Sequence, residues 1–111
     1  MRFKVVLVPF PFDDLSGAKV RPAVCLADAV GSHRHVVLAF TSNLSPSLEP
    51  SDIVLDPGSA GFHSTGLKVR SVLRLHRVLT VSASIILRQL GILPPNAQGQ
   101  VQRRLRELFR L

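Results

Sequence analysis

The feature that most restricts the fold of this chain is a series of short apolar segments, rich in β-branched residues, between loops containing proline and glycine. Such segments are typical of buried or half-buried strands. The expected strands cover residues 4–8, 20–27, 35–42, 53–55 and 69–81. Two helices are expected to follow, one from Ser82 or Ser84 to Leu90 and one beginning after Pro94-Pro95 with Asn96 as its N-cap. Short strands in this number, followed by helices, predict a mainly β chain: a small antiparallel barrel with the helices packed outside it.

Length and composition favour one globular domain over residues 1–111 in the cytoplasm. A chain of 111 residues without an internal repeat suits a single domain, and 46% apolar against 19% charged residues is a globular composition. No apolar run is long enough to span a bilayer, so no membrane association is expected. The basic start and the apolar segment 5–10 resemble a signal peptide, but two prolines and two acids follow at once, which argues against export. The single cysteine, Cys25, lies among apolar residues and is expected to be a buried structural thiol.

The positive charge is concentrated in the second half of the chain. Residues 1–59 contain five Lys and Arg against six Asp and Glu, whereas residues 60–111 contain nine against one. A basic half predicts a polyanionic partner, which could be nucleic acid, an acidic protein segment or anionic lipid. Because the chain has six Phe but no Tyr and no Trp, any stacking on bases would have to use Phe or Arg.

Metal and nucleotide-cofactor motifs are missing from the sequence. The histidines stand at 33, 35, 63 and 76, and a single cysteine gives no paired ligands, so we expect neither a metal nor a cofactor. His33 and His35 are interpreted as part of an exposed strand end, and Asp13-Asp14 as a solvated turn. The sequence contains neither a P-loop nor a Gly-x-Gly-x-x-Gly segment.

Four polar residues at strand ends are candidates for a site. Arg21 opens the second strand, Thr41 closes the third, and Arg74 and His76 share one face of the long strand, with Leu73, Leu75 and Leu79 on the other. Arg74 and His76 have Cα atoms about 6.5–7 Å apart, because residues two apart in a strand are neighbours on its face. Each also has a structural interpretation: a surface charge for Arg21, a simple β-former for Thr41 and a solvated strand face for the other two.

These residue types fit one reaction, the cleavage of RNA by its own 2′-hydroxyl. That reaction needs a base for the hydroxyl proton, cations or donors for the charge on phosphorus, and an acid for the leaving 5′ oxygen. Histidine can exchange a proton near neutral pH, arginine binds phosphate with two donors, and a threonine hydroxyl can donate to a phosphate oxygen.

Segments spread over nearly the whole chain are together similar to one family. They are Val6–Lys19 followed by Arg21-Pro22-Ala23-Val24, Phe40-Thr41-Ser42, Gly66-Leu67-Lys68 with Ser71–His76, and Leu90–Leu93 before an amphipathic terminal helix. In this order they resemble toxins of the MazF/PemK type. The resemblance implies an SH3-like barrel of the MazF/Kid/CcdB type, in most relatives a homodimer, which cuts single-stranded RNA to leave a 2′,3′-cyclic phosphate and a 5′-OH. It also implies an antitoxin with an acidic, disordered tail that covers the RNA groove.

The resemblance assigns roles to individual residues. Arg21 matches the family's catalytic arginine, Thr41 its catalytic threonine or serine, and Arg74 the arginine of its Arg-x-Asp pair, while His76 stands where relatives such as Kid have an aspartate proposed as base. The residues expected to bind the substrate are Ser42, Phe10, Phe12, Lys19 and Arg70. Two other functions remain open at this point: a gyrase poison of the CcdB type, which shares the fold, and an inert module that binds nucleic acid or protein.

Overall fold

A computed structural model of the chain describes residues 1–9, 19–31, 34–43 and 47–111. The strands are β1 (Lys4–Pro9), β2 (Val20–Val30), β3 (His35–Ser42), β4 (Asp52–Leu55), β5 (Ser71–Ser82) and β6 (Arg88–Ile92). Single turns of 3₁₀ helix occupy Phe62–Thr65 and Ala83–Ile85, and one α-helix, α1, covers Pro95–Phe109. The mainly β, barrel-like fold predicted from the sequence is confirmed, and the expected strand β3 has the bounds predicted for it.

The strands form one six-stranded sheet in the order β4-β5-β3-β2-β1-β6, with every neighbouring pair antiparallel. The sheet curls into a half-barrel, and α1 packs against it. In this order β5, β3 and β2 lie side by side. The start of β2 and the end of β3 therefore meet at one end of the sheet, close to the start of β5.

The helix expected between Ser82 and Leu90 is wrong. Ser82 does cap a turn, since its hydroxyl accepts from the backbone N–H of Ser84, but the turn ends after Ile85. The Leu87 N–H then donates to the Leu7 carbonyl at 2.9 Å, and Arg88–Ile92 pairs with β1 as a sixth strand. The open edge of β1 pairs with four residues of this segment, and pairing there outweighs the local helix signal.

Helix α1 begins two residues earlier than expected. Pro94 is its N-cap and Pro95 its first residue, so the expected N-cap at Asn96 is wrong. Proline suits the first position because a backbone N–H there would have no acceptor within the helix. The apolar stripe predicted for this helix is confirmed at two positions, since Val101 is buried and Leu105 packs against the core. The last turn is different, because Leu108 and Phe109 are exposed.

The sheet carries apolar side chains on both faces, in two separate cores. The core under α1 contains Val5, Val24, Ala39, Leu73, Leu75, Leu93, Ala97 and Val101, with further residues around them. The opposite core contains Val6, Val8, Ala23, Cys25, Val36, Leu38 and Phe40. Alternating residues of β1, β2 and β3 thus enter opposite cores, as strand geometry requires.

Strand β5 changes cores along its length. Leu73 and Leu75 belong to the core under α1, whereas Leu79 packs against the opposite core, so its expected place on the same face as the other two is wrong. The reason is a shift in pairing: Ala39 pairs with Val78, but Thr41, only two residues later, pairs with Leu73. The extra residues of β5 between these pairs break the simple alternation.

The segment between β4 and β5, expected to be a loop, holds the 3₁₀ turn Phe62–Thr65 and packs tightly against β6. Gly66 has a φ of 73°, in the left-handed region, and a Cβ atom there would collide with the Leu90 carbonyl. A Cβ atom on Gly91 would collide with the Ser64 carbonyl. Glycine at both positions therefore permits the close approach of two backbones.

Candidate functional site

Arg21 and Thr41 line one pocket at the end of the sheet where β2 begins and β3 ends. The pocket has a volume of about 310 Å³ and is completed by Lys19, Val20, Pro22 and Asn43. The two residues meet because β2 and β3 are antiparallel neighbours, with Ala23 opposite Phe40 in the register. The structure thus brings together Arg21, Thr41 and Lys19, three residues that the sequence analysis singled out separately.

The Thr41 side chain is held in this pocket by a hydrogen bond to the backbone of Pro22. Its side-chain hydroxyl donates to the Pro22 carbonyl oxygen at 3.1 Å, and the residue is buried. The hydroxyl proton is therefore engaged, while the oxygen keeps its capacity to accept. To donate to a phosphate oxygen, the role expected from the chemistry of its side chain, the hydroxyl would have to rotate away from Pro22.

Arg74 forms a buried ion pair with Asp52. The two residues are directly opposite each other in the β4–β5 register, and Arg74 Nη1 lies 3.0 Å from Asp52 Oδ2. The Asp52 side chain is fully buried and that of Arg74 is 14% exposed. The same Oδ2 accepts the backbone N–H of Glu49 at 2.8 Å, which fixes the carboxylate against the turn before β4.

His76 approaches the other oxygen of the same carboxylate. Its Nδ1 lies 3.7 Å from Asp52 Oδ1, and 34% of its side chain is exposed. Among the described residues, Asp52 Oδ1 has no hydrogen-bond partner. The exposed part of His76 lines a second pocket of about 500 Å³, which is also lined by Arg104 and Glu107 of α1 and by Arg110 just after that helix.

Arg21 and Arg74 lie on the same face of the sheet, whereas Thr41 pairs with Leu73 of the core under α1 and so belongs to the opposite face. The pocket of Arg21 and the pocket of His76 are separate. Ser42 pairs with Val72, two residues before Arg74, so Ser42 and Arg74 share a face. Arg21 stands two residues before Ala23, which pairs with Phe40, itself two residues before Ser42. Arg21, Ser42 and Arg74 therefore lie on one face at one end of three adjacent strands, with partly buried Ser42 on the central strand.

The remaining residues expected to bind the substrate are Arg70, Phe10 and Phe12. Arg70 is exposed and stands directly before β5. Phe10 and Phe12 lie outside the described residues, as do the Asp13-Asp14 pair and His33.

Asp52 was missed by the sequence analysis, although it contacts two of the four expected site residues. Its sequence neighbours, a proline and a serine before it and an apolar strand after it, suggest only a loop end. The signal lies in the strand register, which places it opposite Arg74.

Within residues 1–9, 19–31, 34–43 and 47–111, no group of three or more His, Cys, Asp or Glu side chains is arranged to hold a metal ion. No helix of that part is long and apolar enough to span a membrane. Cys25 is fully buried, as expected, and burial, assisted by the negative charge of Asp28, raises the pKa of its thiol.

Comparison with known proteins decides the family. The model of the PemK-like, MazF-like toxins of type II toxin–antitoxin systems matches residues 1–109. The chain belongs to this toxin family. No curated protein sequence matches it at a significant level.

Solved structures of MazF-type toxins have the same fold. The Mycobacterium tuberculosis toxin MazF-mt6 is 18% identical and superposes with a TM-score of 0.73 over 97% of both chains. An endoribonuclease from Mycobacterial species, in complex with its cognate antitoxin, is 14% identical with a TM-score of 0.73, over 100% of this chain and 95% of that one. A further endoribonuclease from Mycobacterial species gives a TM-score of 0.69 at 14% identity, over 100% and 91% of the two chains.

Proposed function

We propose that this toxin is an endoribonuclease that cleaves single-stranded RNA without a metal ion. The observation that carries the proposal is the placement of Arg21 and Arg74 on one face at one end of three adjacent strands, with the Thr41 pocket beside Arg21. Membership of the toxin family supports it, as do two structural neighbours that are endoribonucleases.

In the proposed reaction the 2′-oxygen of the RNA attacks the adjacent phosphorus. The P–O2′ bond forms and the P–O5′ bond breaks, which leaves a 2′,3′-cyclic phosphate and a 5′-OH. Arg21 and Arg74 stabilise the negative charge that builds up on the phosphate oxygens. His76 accepts the 2′-hydroxyl proton, and the 5′ oxygen takes a proton from water while an arginine stabilises it electrostatically. The hydroxide left by that water takes the proton from His76, which restores the enzyme.

The partners follow from charge and family. One structural neighbour was solved with its cognate antitoxin, and this chain has nine Lys and Arg against one Glu after residue 59. We expect an acidic antitoxin segment to compete with RNA for binding to this basic part of the chain. A homodimer that works in the cytoplasm completes the proposal, with Lys19, Ser42 and Arg70 at the RNA surface, together with Phe10 and Phe12 if those rings stack on bases.

The test is cleavage of a long mixed transcript by the purified protein in EDTA, followed by mapping of both RNA ends. Arg21→Ala is expected to abolish cutting, whereas Arg103→Ala, an exposed arginine on α1, is expected to leave it unchanged. Circular dichroism and thermal unfolding of both variants show whether the fold is kept.

A 2′-deoxy nucleotide at the mapped cut site should block cleavage, because the nucleophile is then missing. Full activity of Arg21→Ala, or cleavage of the deoxy substrate, would refute the proposed mechanism. A parallel gyrase supercoiling assay covers the other activity found on this fold, since fold alone does not determine function. Inhibition of gyrase together with intact RNA would assign the protein to that class instead.

A further inference from the structure

The carboxylate of Asp52 divides its contacts unevenly between its two oxygens. Oδ2 accepts from Arg74 Nη1 at 3.0 Å and from the Glu49 N–H at 2.8 Å. Oδ1 is buried and has no hydrogen-bond partner among the described residues. A buried acceptor without a donor is unfavourable, so the group facing it needs an explanation.

The group that faces Oδ1 is the Nδ1 atom of His76, 3.7 Å away. At this distance the contact is longer than a hydrogen bond, but it joins an acceptor that lacks a donor to a ring nitrogen that can carry a proton. Contacts of this kind in unliganded sites often tighten when the substrate binds.

We propose that Asp52 is a positioning residue that keeps His76 in the tautomer with its proton on Nδ1. This inference rests on the proposed function, in which His76 is the base. With Nδ1–H directed at Oδ1, the lone pair is on Nε2, which is the atom that accepts the 2′-hydroxyl proton. When Nε2 takes that proton the ring becomes a cation, and the charge of Asp52 stabilises it. Through Oδ2, the same carboxylate orients the Arg74 guanidinium.

Other charged groups also face His76. Glu49 approaches from the turn before β4, Arg104 and Glu107 line the same pocket from α1, and Arg110 lines it from just after that helix. Glu49, Glu107 and Arg110 are exposed, so solvent and salt screen their charges, and Arg104 Nη1 donates to the Pro50 carbonyl. Asp52, fully buried and close to Nδ1, is the group whose charge is least screened.

The discriminating variant is Asp52→Asn, which keeps the size of the side chain. The Asn oxygen is expected to take the place of Oδ2, because Arg74 and the Glu49 N–H both need an acceptor. The Asn NH₂ group then faces His76 and donates to Nδ1. The substitution should therefore reverse the tautomer and leave the proton on Nε2, with little change in packing.

The first measurement is the tautomer of His76, read from ¹⁵N shifts of histidine-labelled protein in the absence of RNA, at a pH where the ring is neutral. The His76→Gln variant assigns its signals among the four histidines. We expect a protonated Nδ1 in the unsubstituted protein and a protonated Nε2 in Asp52→Asn. A protonated Nε2 in the unsubstituted protein would overturn the inference, whatever the cleavage assay gives.

The second measurement is RNA cleavage. Asp52→Asn should lower kcat by about 10²–10⁴-fold, the usual contribution of a general base, with KM changed by less than about 3-fold, since the arginines still bind the phosphate. A merely structural role would lower stability without reversing the tautomer, so kcat per folded molecule and the tautomer together distinguish the two roles.

Glu107→Gln, an acid from the same pocket, is the matched control and should keep kcat within about 3-fold of the unsubstituted value. If the unsubstituted protein cuts RNA and Asp52→Asn cuts it equally fast, the inference fails while the proposed function stands. If the unsubstituted protein leaves all RNA intact, the proposed function fails, and the tautomer measurement alone decides whether Asp52 orients His76.

Discussion

Replacing Arg74 by methionine should destabilise the fold, because it leaves the Asp52 charge buried without its cation. The Asp52 side chain is fully buried and that of Arg74 is 14% exposed, so the pair is largely shielded from water. Removing one partner of such a pair typically costs about 3–5 kcal/mol. Asp52 keeps one donor, the Glu49 N–H at 2.8 Å, and methionine retains most of the apolar stem, so we expect the lower end, about 3 kcal/mol.

Urea unfolding followed by circular dichroism measures this loss. For a chain of this size about 3 kcal/mol corresponds to a decrease in Tm of roughly 12 °C. All variants should be compared at one protomer concentration, because a dimer would make stability depend on concentration. Arg77→Met is the matched control: Arg77 is an exposed arginine of the same strand, and its loss should change stability by less than about 0.5 kcal/mol.

The double variant Asp52→Asn/Arg74→Met separates the ion pair from the packing of the arginine. If the two charges interact as the geometry indicates, the double variant should be more stable than the sum of the single effects by at least about 1 kcal/mol. A loss below about 1 kcal/mol for Arg74→Met, together with additive single effects, would refute the reasoning. An effect of Arg74→Met on cleavage could then be attributed to catalysis, since the substitution would not disturb the fold.

Three further outcomes are expected. Gly91→Ala should destabilise the protein by about 2 kcal/mol in urea unfolding, because the added Cβ would collide with the Ser64 carbonyl. Gly99→Ala on α1, where the added Cβ meets open space, should stabilise it by about 0.5–1 kcal/mol. Equal effects of the two substitutions would contradict the close approach of the Gly91 and Ser64 backbones. Thr41→Val should lose about 1 kcal/mol of stability because the Pro22 carbonyl loses its donor, and Thr41→Ser should restore most of it; identical unfolding curves would argue against that hydrogen bond. Burial raises the pKa of the Cys25 thiol in the folded state, so its contribution to stability is present below the unfolded pKa of about 8.5 and is lost as pH rises above it. Relative to Cys25→Ala, the protein should lose stability as the pH rises above about 8.5, and a disulfide reagent should label the native thiol only at the rate of opening.

The strands could be predicted from the sequence because their signal is local. Alternation and β-branched residues mark β1 to β5 almost at their observed bounds. Strand β6 could not be predicted in this way, because Ser82 and Ser84 offer good capping chemistry and nothing nearby shows that the edge of β1 is unoccupied. The change of cores along β5 was hidden for the same reason, since it depends on pairing with β3 and not on the pattern of β5 itself.

The same difference between local signals and strand pairing applies to the residues of the site. Arg21 and Thr41 were recognised by their resemblance to a family pattern, and the structure brings them into one pocket. Asp52 carries no local signal, because a single acid at the start of a short strand is common and its importance arises from the residue opposite. Only the β4–β5 register connects it with Arg74, and only burial shows that its charge must be compensated.

Because β5 packs first in one core and then in the other, the residues between these two parts can be substituted without disturbing either core. His76 and Arg77 occupy the crossing and are exposed, so their side chains belong to neither core. A different side chain at position 76 would therefore leave both cores intact, but it would meet the buried carboxylate of Asp52, which lies 3.7 Å from His76 Nδ1. Reactivity can diverge at this crossing while the barrel around it stays the same.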